Sequence, residues 1–219
     1  MKKSYALFIV CFIILCFASS VNAILIDRGG GLLYDPDLNI TWLQDASYAQ
    51  TSGFSPDGRM NWEQAVAWAD ELVYYDPLRN NYLTDWRLPT AFKKDGSEPV
   101  FGFHGEADSE MAHLFLDLGL PGNGLPWPTE TPPAINLVDH YWPFWTSTEY
   151  EEYPAFVAWV YDFSEGFQGV NDKEFLNYAW AVRDGDVAAP VPEPSTVIML
   201  GCGLFTIAAA VKRRKTLTR

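Results

Sequence analysis

The stretch Val157-Ala158-Trp159-Val160-Tyr161-Asp162-Phe163 decides the fold. Val157, Trp159, Tyr161 and Phe163 alternate with Ala158, Val160 and Asp162, and a period of two is that of a β-strand whose large side chains share one face. After a loop around Gly166 to Lys173, Tyr178, Trp180 and Val182 alternate in the same way with Ala179, Ala181 and Arg183. The pattern predicts two antiparallel strands. At the other end, Leu25 to Asp35 reads as short strands joined by the turn Gly29-Gly30-Gly31. Asp35-Pro36-Asp37-Leu38-Asn39 is a turn by composition, and Ile40-Thr41-Trp42-Leu43 is the return strand of a hairpin.

Helices fall between these strands. Over Met60 to Tyr75, Trp62, Ala65, Val66, Ala69, Leu72 and Val73 recur at three- and four-residue steps, which predicts one buried helical face. Asn61 with Gln64 makes a capping box at its start, and Pro77 stops it. A shorter helix is expected from Ser109 to Leu118, with Met111, Leu114, Phe115 and Leu118 inward and Gly119 at its end. The span from Gly119 to Pro143, rich in proline and glycine, reads as a long structured loop. Two helices flanked by early and late strands predict an α+β domain whose termini pair in one sheet.

The two ends of the chain carry addresses. Lys2 and Lys3, the apolar run from Tyr5 to Phe17 and the closing Val21-Asn22-Ala23 form a secretory signal over residues 1–23, to be cut by signal peptidase after Ala23. Residues 24–189 are then the exported domain. A proline-rich linker leads to Val191-Pro192-Glu193-Pro194-Ser195, an apolar stretch from Val197 to Val211, and the cluster Lys212-Arg213-Arg214-Lys215. The stretch is short against the about 20 residues a spanning helix uses, but the basic cluster would hold its end on the cytoplasmic side.

Those three parts, in that order over residues 190–219, resemble the PEP-CTERM sorting signal. The resemblance implies recognition by the membrane protease-transpeptidase exosortase. It also implies a Gram-negative, polysaccharide-exporting host and a product held at the envelope, on the cell surface or in the extracellular matrix.

Composition narrows what the domain does. Cys11, Cys16 and Cys202 all lie in the hydrophobic ends, so the domain offers no disulfide, thiol nucleophile or thiolate metal site. Of 15 basic residues, two lie in the signal and five follow the anchor, leaving eight against 27 acids and a formal charge of −19. Such a surface repels nucleic acid and sulfated polysaccharide. Neutral glycans, cationic partners and divalent cations suit it better. The glycine triplet at residues 29–31 lacks the Lys-Ser/Thr of a phosphate loop, Gly-x-Ser-x-Gly is absent, and His104, His113 and His140 show no helical metal-ligand spacing. No catalytic constellation is legible, and no cofactor is expected beyond calcium.

Three segments carry a second resemblance: Asp85-Trp86-Arg87-Leu88-Pro89-Thr90, Trp145-Thr146-Ser147-Thr148 within Tyr141 to Tyr150, and Tyr178-Ala179-Trp180-Ala181-Val182-Arg183. Behind a helix bearing Trp62 and Ala65 they resemble the DUF1566 family, also called the Lcl C-terminal domain. The resemblance implies a C-type lectin-like domain with two helices, a small antiparallel sheet and a long loop region, serving adhesion or glycan binding at the cell surface. The chain departs from the sulfate-binding members in its acidity, and from calcium lectins in lacking Glu-Pro-Asn and Trp-Asn-Asp. Within Asp85 to Thr90, Trp86 and Leu88 read as core residues, and Arg87 needs a carboxylate or carbonyl partner if buried.

Two surfaces are candidates for a ligand. In the long loop, Trp127, Tyr141 and Trp142 offer rings for sugar C–H faces, with Asn136 and Asp139 to bond hydroxyls. The acidic turn at Asp162 and Glu165, with Asn171 and Asp172, offers oxygen ligands for calcium. A binder of extracellular polysaccharide stands beside two alternatives: a coat or matrix component without a small ligand, and a hydrolase acting on polysaccharide.

Overall fold

The computed structural model describes residues 25–122, 134–137 and 142–187. The signal, the sorting tail with segment 197–211, His140, and the loop residues Trp127, Asp139 and Tyr141 lie outside them. Among the described residues no helix is long and apolar enough to cross a membrane. Most elements are strands and the helices are few and short, an α+β domain.

The chain opens with β1 (Ile26–Gly29), β2 (Leu32–Asp35) and β3 (Ile40–Leu43). One turn of helix, α1 (Tyr48–Thr51), and β4 (Arg59–Met60) lead into α2 (Trp62–Asp70). Then come β5 (Tyr74–Asp76), β6 (Asn81–Leu83), β7 (Trp86–Arg87), β8 (Gly102–Phe103), α3 (His104–Ala107) and α4 (Glu110–Asp117). The last third holds β9 (Phe144–Glu149), β10 (Val157–Asp162), β11 (Phe167–Asp172), β12 (Asn177–Tyr178) and β13 (Val182–Asp184).

These strands form a five-stranded sheet ordered β1-β2-β3-β13-β7, a six-stranded sheet ordered β4-β12-β9-β10-β11-β8, and the hairpin β5-β6. The termini do share a sheet: Val182 lies opposite Trp42, and Asp184 opposite Ile40. Between β12 and β13 the chain passes from one sheet to the other through Ala179-Trp180-Ala181, all buried. Trp180 is the rivet at that crossing. Its indole donates to the Leu43 carbonyl at 2.7 Å, and its ring meets Trp42 at 5.6 Å and Phe144 and Phe163 at 5.8 Å each.

Three sequence expectations are corrected. The alternation from Tyr178 to Arg183 is two short strands in different sheets, and neither pairs with β10. Residues 166–173, read as a loop, contain β11, which pairs along the whole of β10. Gln168 disguised it: fully buried, its side-chain Nε2 donates to the Ala91 and Val100 carbonyls at 3.2 and 3.1 Å. The helix expected through Tyr75 stops at Asp70, because Tyr74 is needed in extended backbone. There its hydroxyl donates to the Gly30 carbonyl at 2.8 Å and its ring packs edge-on against Trp86 and Tyr48.

The helix starts follow their sequences. Asn61 accepts from the Gln64 amide while the Gln64 side chain returns the bond, and Ser109 caps α4 by accepting from Ala112. Met111, Leu114 and Phe115 are fully buried, and Gly119 follows at φ +64°.

The segment from Asp85 to Thr90 is built into the core as expected. Trp86 and Leu88 are buried, and the Trp86 indole donates to the Leu83 carbonyl at 3.1 Å. Arg87 meets Glu110 through bonds of 2.9 and 2.7 Å and Asp184 through bonds of 3.1 and 2.7 Å. Desolvation disfavours this guanidinium, but its bonds to Glu110 and Asp184 outweigh that and hold its pKa above the ordinary value.

Candidate functional site

Of the loop residues chosen for ligand contact, Asn136 and Trp142 fall among the described residues, on different supports. Asn136 is exposed at φ +54°, and its carbonyl accepts from the Ser47 hydroxyl at 2.8 Å. Its neighbour Ile135 bridges to Asp45, which fixes this piece of loop beside the start of α1. Trp142 instead stands just before β9, 47% exposed, with the Arg59 guanidinium 5.0 Å from its ring centre. Arg59 is itself held by Asp57 through bonds of 2.7 and 3.1 Å. With Glu174, Phe175 and Leu176 they line a shallow cleft of about 390 Å³.

A second cleft, of about 340 Å³, escaped sequence reasoning. It opens where β9 ends and β10 begins, and its lining combines the rings of Phe92, Phe101, Tyr150 and Trp159 with the carboxylates of Glu98, Glu149, Glu151 and Glu152. Phe101 is half-exposed and lies 4.7 Å from Trp159 and 5.8 Å from Tyr150, while Tyr150 meets Trp159 edge-on at 5.7 Å. Desolvation by its neighbours and the adjacent Glu152 carboxylate hold the Tyr150 phenol above its ordinary pKa. Glu149 is anchored by Lys173 at 2.6 Å, whose ammonium also sits 3.8 Å from the Trp62 ring centre. Rings beside acceptor-only carboxylates can take the C–H face of a neutral sugar while accepting from its hydroxyls. The sequence signal, Glu-Tyr-Glu-Glu-Tyr over residues 149–153, was present but had no partner until folding brought Phe101 across.

The four residues proposed for calcium do not converge. Asp162 pairs with Phe167 and Asp172 with Val157, at opposite ends of the β10–β11 hairpin. Five residues at about 3.4 Å per residue put them about 17 Å apart. Each carboxylate also serves its own turn. Asp162 Oδ1 accepts from Ser164 N and Oγ and from Glu165 N, at 2.8, 2.7 and 3.3 Å. Asp172 Oδ1 accepts from Glu174 N at 2.9 Å, and the Asn171 amide donates to Asn177 at 3.4 Å. The acidic residues are turn-formers, which is why they cluster in sequence and not in space.

The histidines part company too. His104 stacks on Phe115 at 4.9 Å. His113, on α4, lies between Asp35 and Asp117. Burial pushes both carboxyls above the usual range, Asp117 up to about 6.

Comparison with known proteins bears on the tail. The family model for the PEP-CTERM protein-sorting motif matches residues 190–215, which contain Val191, Pro192, Glu193 and Pro194. The match indicates exosortase-dependent processing of a membrane-anchored precursor and export to the cell surface. No curated protein and no solved structure matched the chain.

Proposed function

We propose that the exported domain is a non-catalytic glycan-binding module that attaches its carrier to neutral extracellular polysaccharide on the surface of a Gram-negative cell. The cleft between Phe101 and Tyr150 carries the reading: three aromatic rings in mutual contact and four carboxylates line a space of about 340 Å³. Aromatic walls with a few convergent polar groups are the usual make-up of small-ligand sites. The surrounding charge of −19 favours uncharged sugars over sulfated ones. The Trp142–Arg59 platform is a second surface of similar chemistry. The DUF1566 resemblance and a C-type lectin-like fold are proposed on the same footing, supported by the pairing of the termini and by the core positions of Trp86 and Leu88.

The test is a binding screen of the full chain, purified in mild detergent, against neutral and sulfated oligosaccharides. Retention on neutral members, lost in Phe101→Ala, supports the reading; retention on sulfated members alone overturns it. A coat or matrix component is the second reading. It is favoured by the β5–β6 hairpin, whose paired Tyr75 and Tyr82 and adjacent Leu78 are 45%, 66% and 53% exposed.

A further inference from the structure

Two side chains on α4 and one from the end of β2, distant in sequence, point their oxygen and nitrogen atoms at one spot. Asp35 Oδ2 lies 3.5 Å from His113 Nε2, and Asp117 Oδ2 lies 3.6 Å from the same nitrogen. The three atoms are all within 4.8 Å of one another. None has a hydrogen-bond partner, although all three are buried. The Asp35 side chain is 0% exposed and that of Asp117 8%, so two carboxylate oxygens are sealed from water and aimed into the same gap. Leaving such atoms unpaired is costly, and native structures rarely do it without a reason.

We propose that Asp35, His113 and Asp117 bind a small divalent transition-metal ion, which clips the β2–β3 turn onto α4. The spacing suits a metal better than a hydrogen bond. An N–H···O bond closes to about 2.7–3.2 Å, whereas ligands at about 2.0–2.1 Å around a tetrahedral ion stand about 3.3 Å apart. The donor set is one imidazole and two carboxylates, which suits zinc or a neighbouring ion over calcium, whose ligands are oxygens.

The supports are in place. Asp35 Oδ1 accepts from the Asp37 and Leu38 amides at 2.9 and 3.0 Å, which turns Oδ2 towards the helix. His113 and Asp117 are four apart on α4 and share one face. At the rim, Asp37 Oδ2 lies 3.9 Å from His113 Nε2 and 4.0 Å from Lys94 Nζ, with its side chain 44% exposed. It supplies an entry path and a fourth ligand or an outer anion. Three carboxylates against one ammonium leave a formal excess of two negative charges, which one divalent ion neutralises.

The full chain, stripped with chelator, is titrated with Zn²⁺ by calorimetry and melted with and without the ion. The expected result is one ion per chain and a raised melting temperature. In His113→Gln and Asp117→Asn the affinity falls by more than the about 10–100-fold typical of an outer-shell change. Co²⁺ in place of Zn²⁺ gives the intense visible bands of a tetrahedral site, absent in both variants. Should either variant fail to fold, Asp37→Asn still tests the site: loss of the rim carboxylate is expected to weaken Zn²⁺ binding about 10–100-fold, and an unchanged affinity overturns the proposal. Failure of Zn²⁺ and Co²⁺ to bind the wild type overturns the proposal. Binding of equal strength in wild type and variants places the ion elsewhere and overturns it too.

Discussion

Arg87 and Glu110 face each other in a two-pronged ion pair, with Nη1–Oε2 at 2.9 Å and Nη2–Oε1 at 2.7 Å. The pair joins β7 of the five-stranded sheet to the first turn of α4. Glu110 Oε2 also accepts from the Thr90 amide at 2.8 Å, so one carboxylate fixes both Arg87 and the exit of the chain past Pro89.

Removing one partner strands the other. Arg87→Ala is expected to destabilise the fold by about 2–4 kcal/mol, slightly below the cost of breaking a fully buried pair because the arginine is 29% exposed. Arg87→Lys should recover little, since an ammonium cannot make the fork. Urea denaturation followed by tryptophan fluorescence gives the values, and an unchanged midpoint for Arg87→Ala would show the pair to be incidental.

Trp180 offers a sharper test of how the sheets are joined. Trp180→Phe keeps most of the ring contacts but leaves the Leu43 carbonyl without its indole donor. A loss of about 1–3 kcal/mol follows from one buried unsatisfied acceptor. Thermal melts of the two proteins measure it, and equal melting temperatures would mean the bond contributes nothing.

Gly31 sits at φ +80°, and an added Cβ would run into the Tyr74 hydroxyl. Gly31→Ala therefore combines backbone strain with a clash and should cost more than about 1 kcal/mol. Tyr74→Phe removes the clashing oxygen but not the strain. A double-mutant cycle is expected to show that the two changes together cost less than their sum, and strict additivity would refute the contact.

How much of this was legible beforehand depended on whether a residue's role was local. The capping box of Asn61 and Gln64, the cap at Ser109 and the need of Arg87 for a carboxylate were all readable from neighbouring residues or from one buried charge. The pairing of the terminal strands followed from hydrophobic pattern and chain order. Gln168 hid β11, because a polar side chain paired to two distant carbonyls looks like a loop residue in sequence. Tyr74 was drawn into the helix by periodicity and pulled out by a hydroxyl bond to Gly30.

The candidate sites show the same division. Asp162 and Asp172, each beside a second oxygen-bearing residue in sequence, proved to be turn-formers at opposite ends of a hairpin. His113 and Asp117 share a helix face at i,i+4, but Asp35, which no spacing connects to them, joins them only through the packing of α4 against the β2–β3 turn. Phe101 likewise reaches Tyr150 and Trp159 from a segment with no motif of its own.

Glycan binding should separate the two aromatic surfaces. Phe101→Ala is expected to weaken binding of a neutral polysaccharide at least about tenfold, in line with the about 0.5–1.5 kcal/mol per aromatic contact plus buried area. Trp142→Ala should leave it within about twofold, a difference under about 0.5 kcal/mol. The reverse order in calorimetric affinities would move the site to the Arg59 platform.

The most direct measurement is titration of the full chain with the neutral polysaccharide that its own host exports, read by quenching of tryptophan fluorescence from Trp159 in the cleft. Saturable quenching that disappears in Phe101→Ala, while the variant's melting temperature stays within a few degrees of wild type, is the expected result. A flat titration of well-folded wild-type protein would contradict glycan binding and leave a sorted coat component in its place.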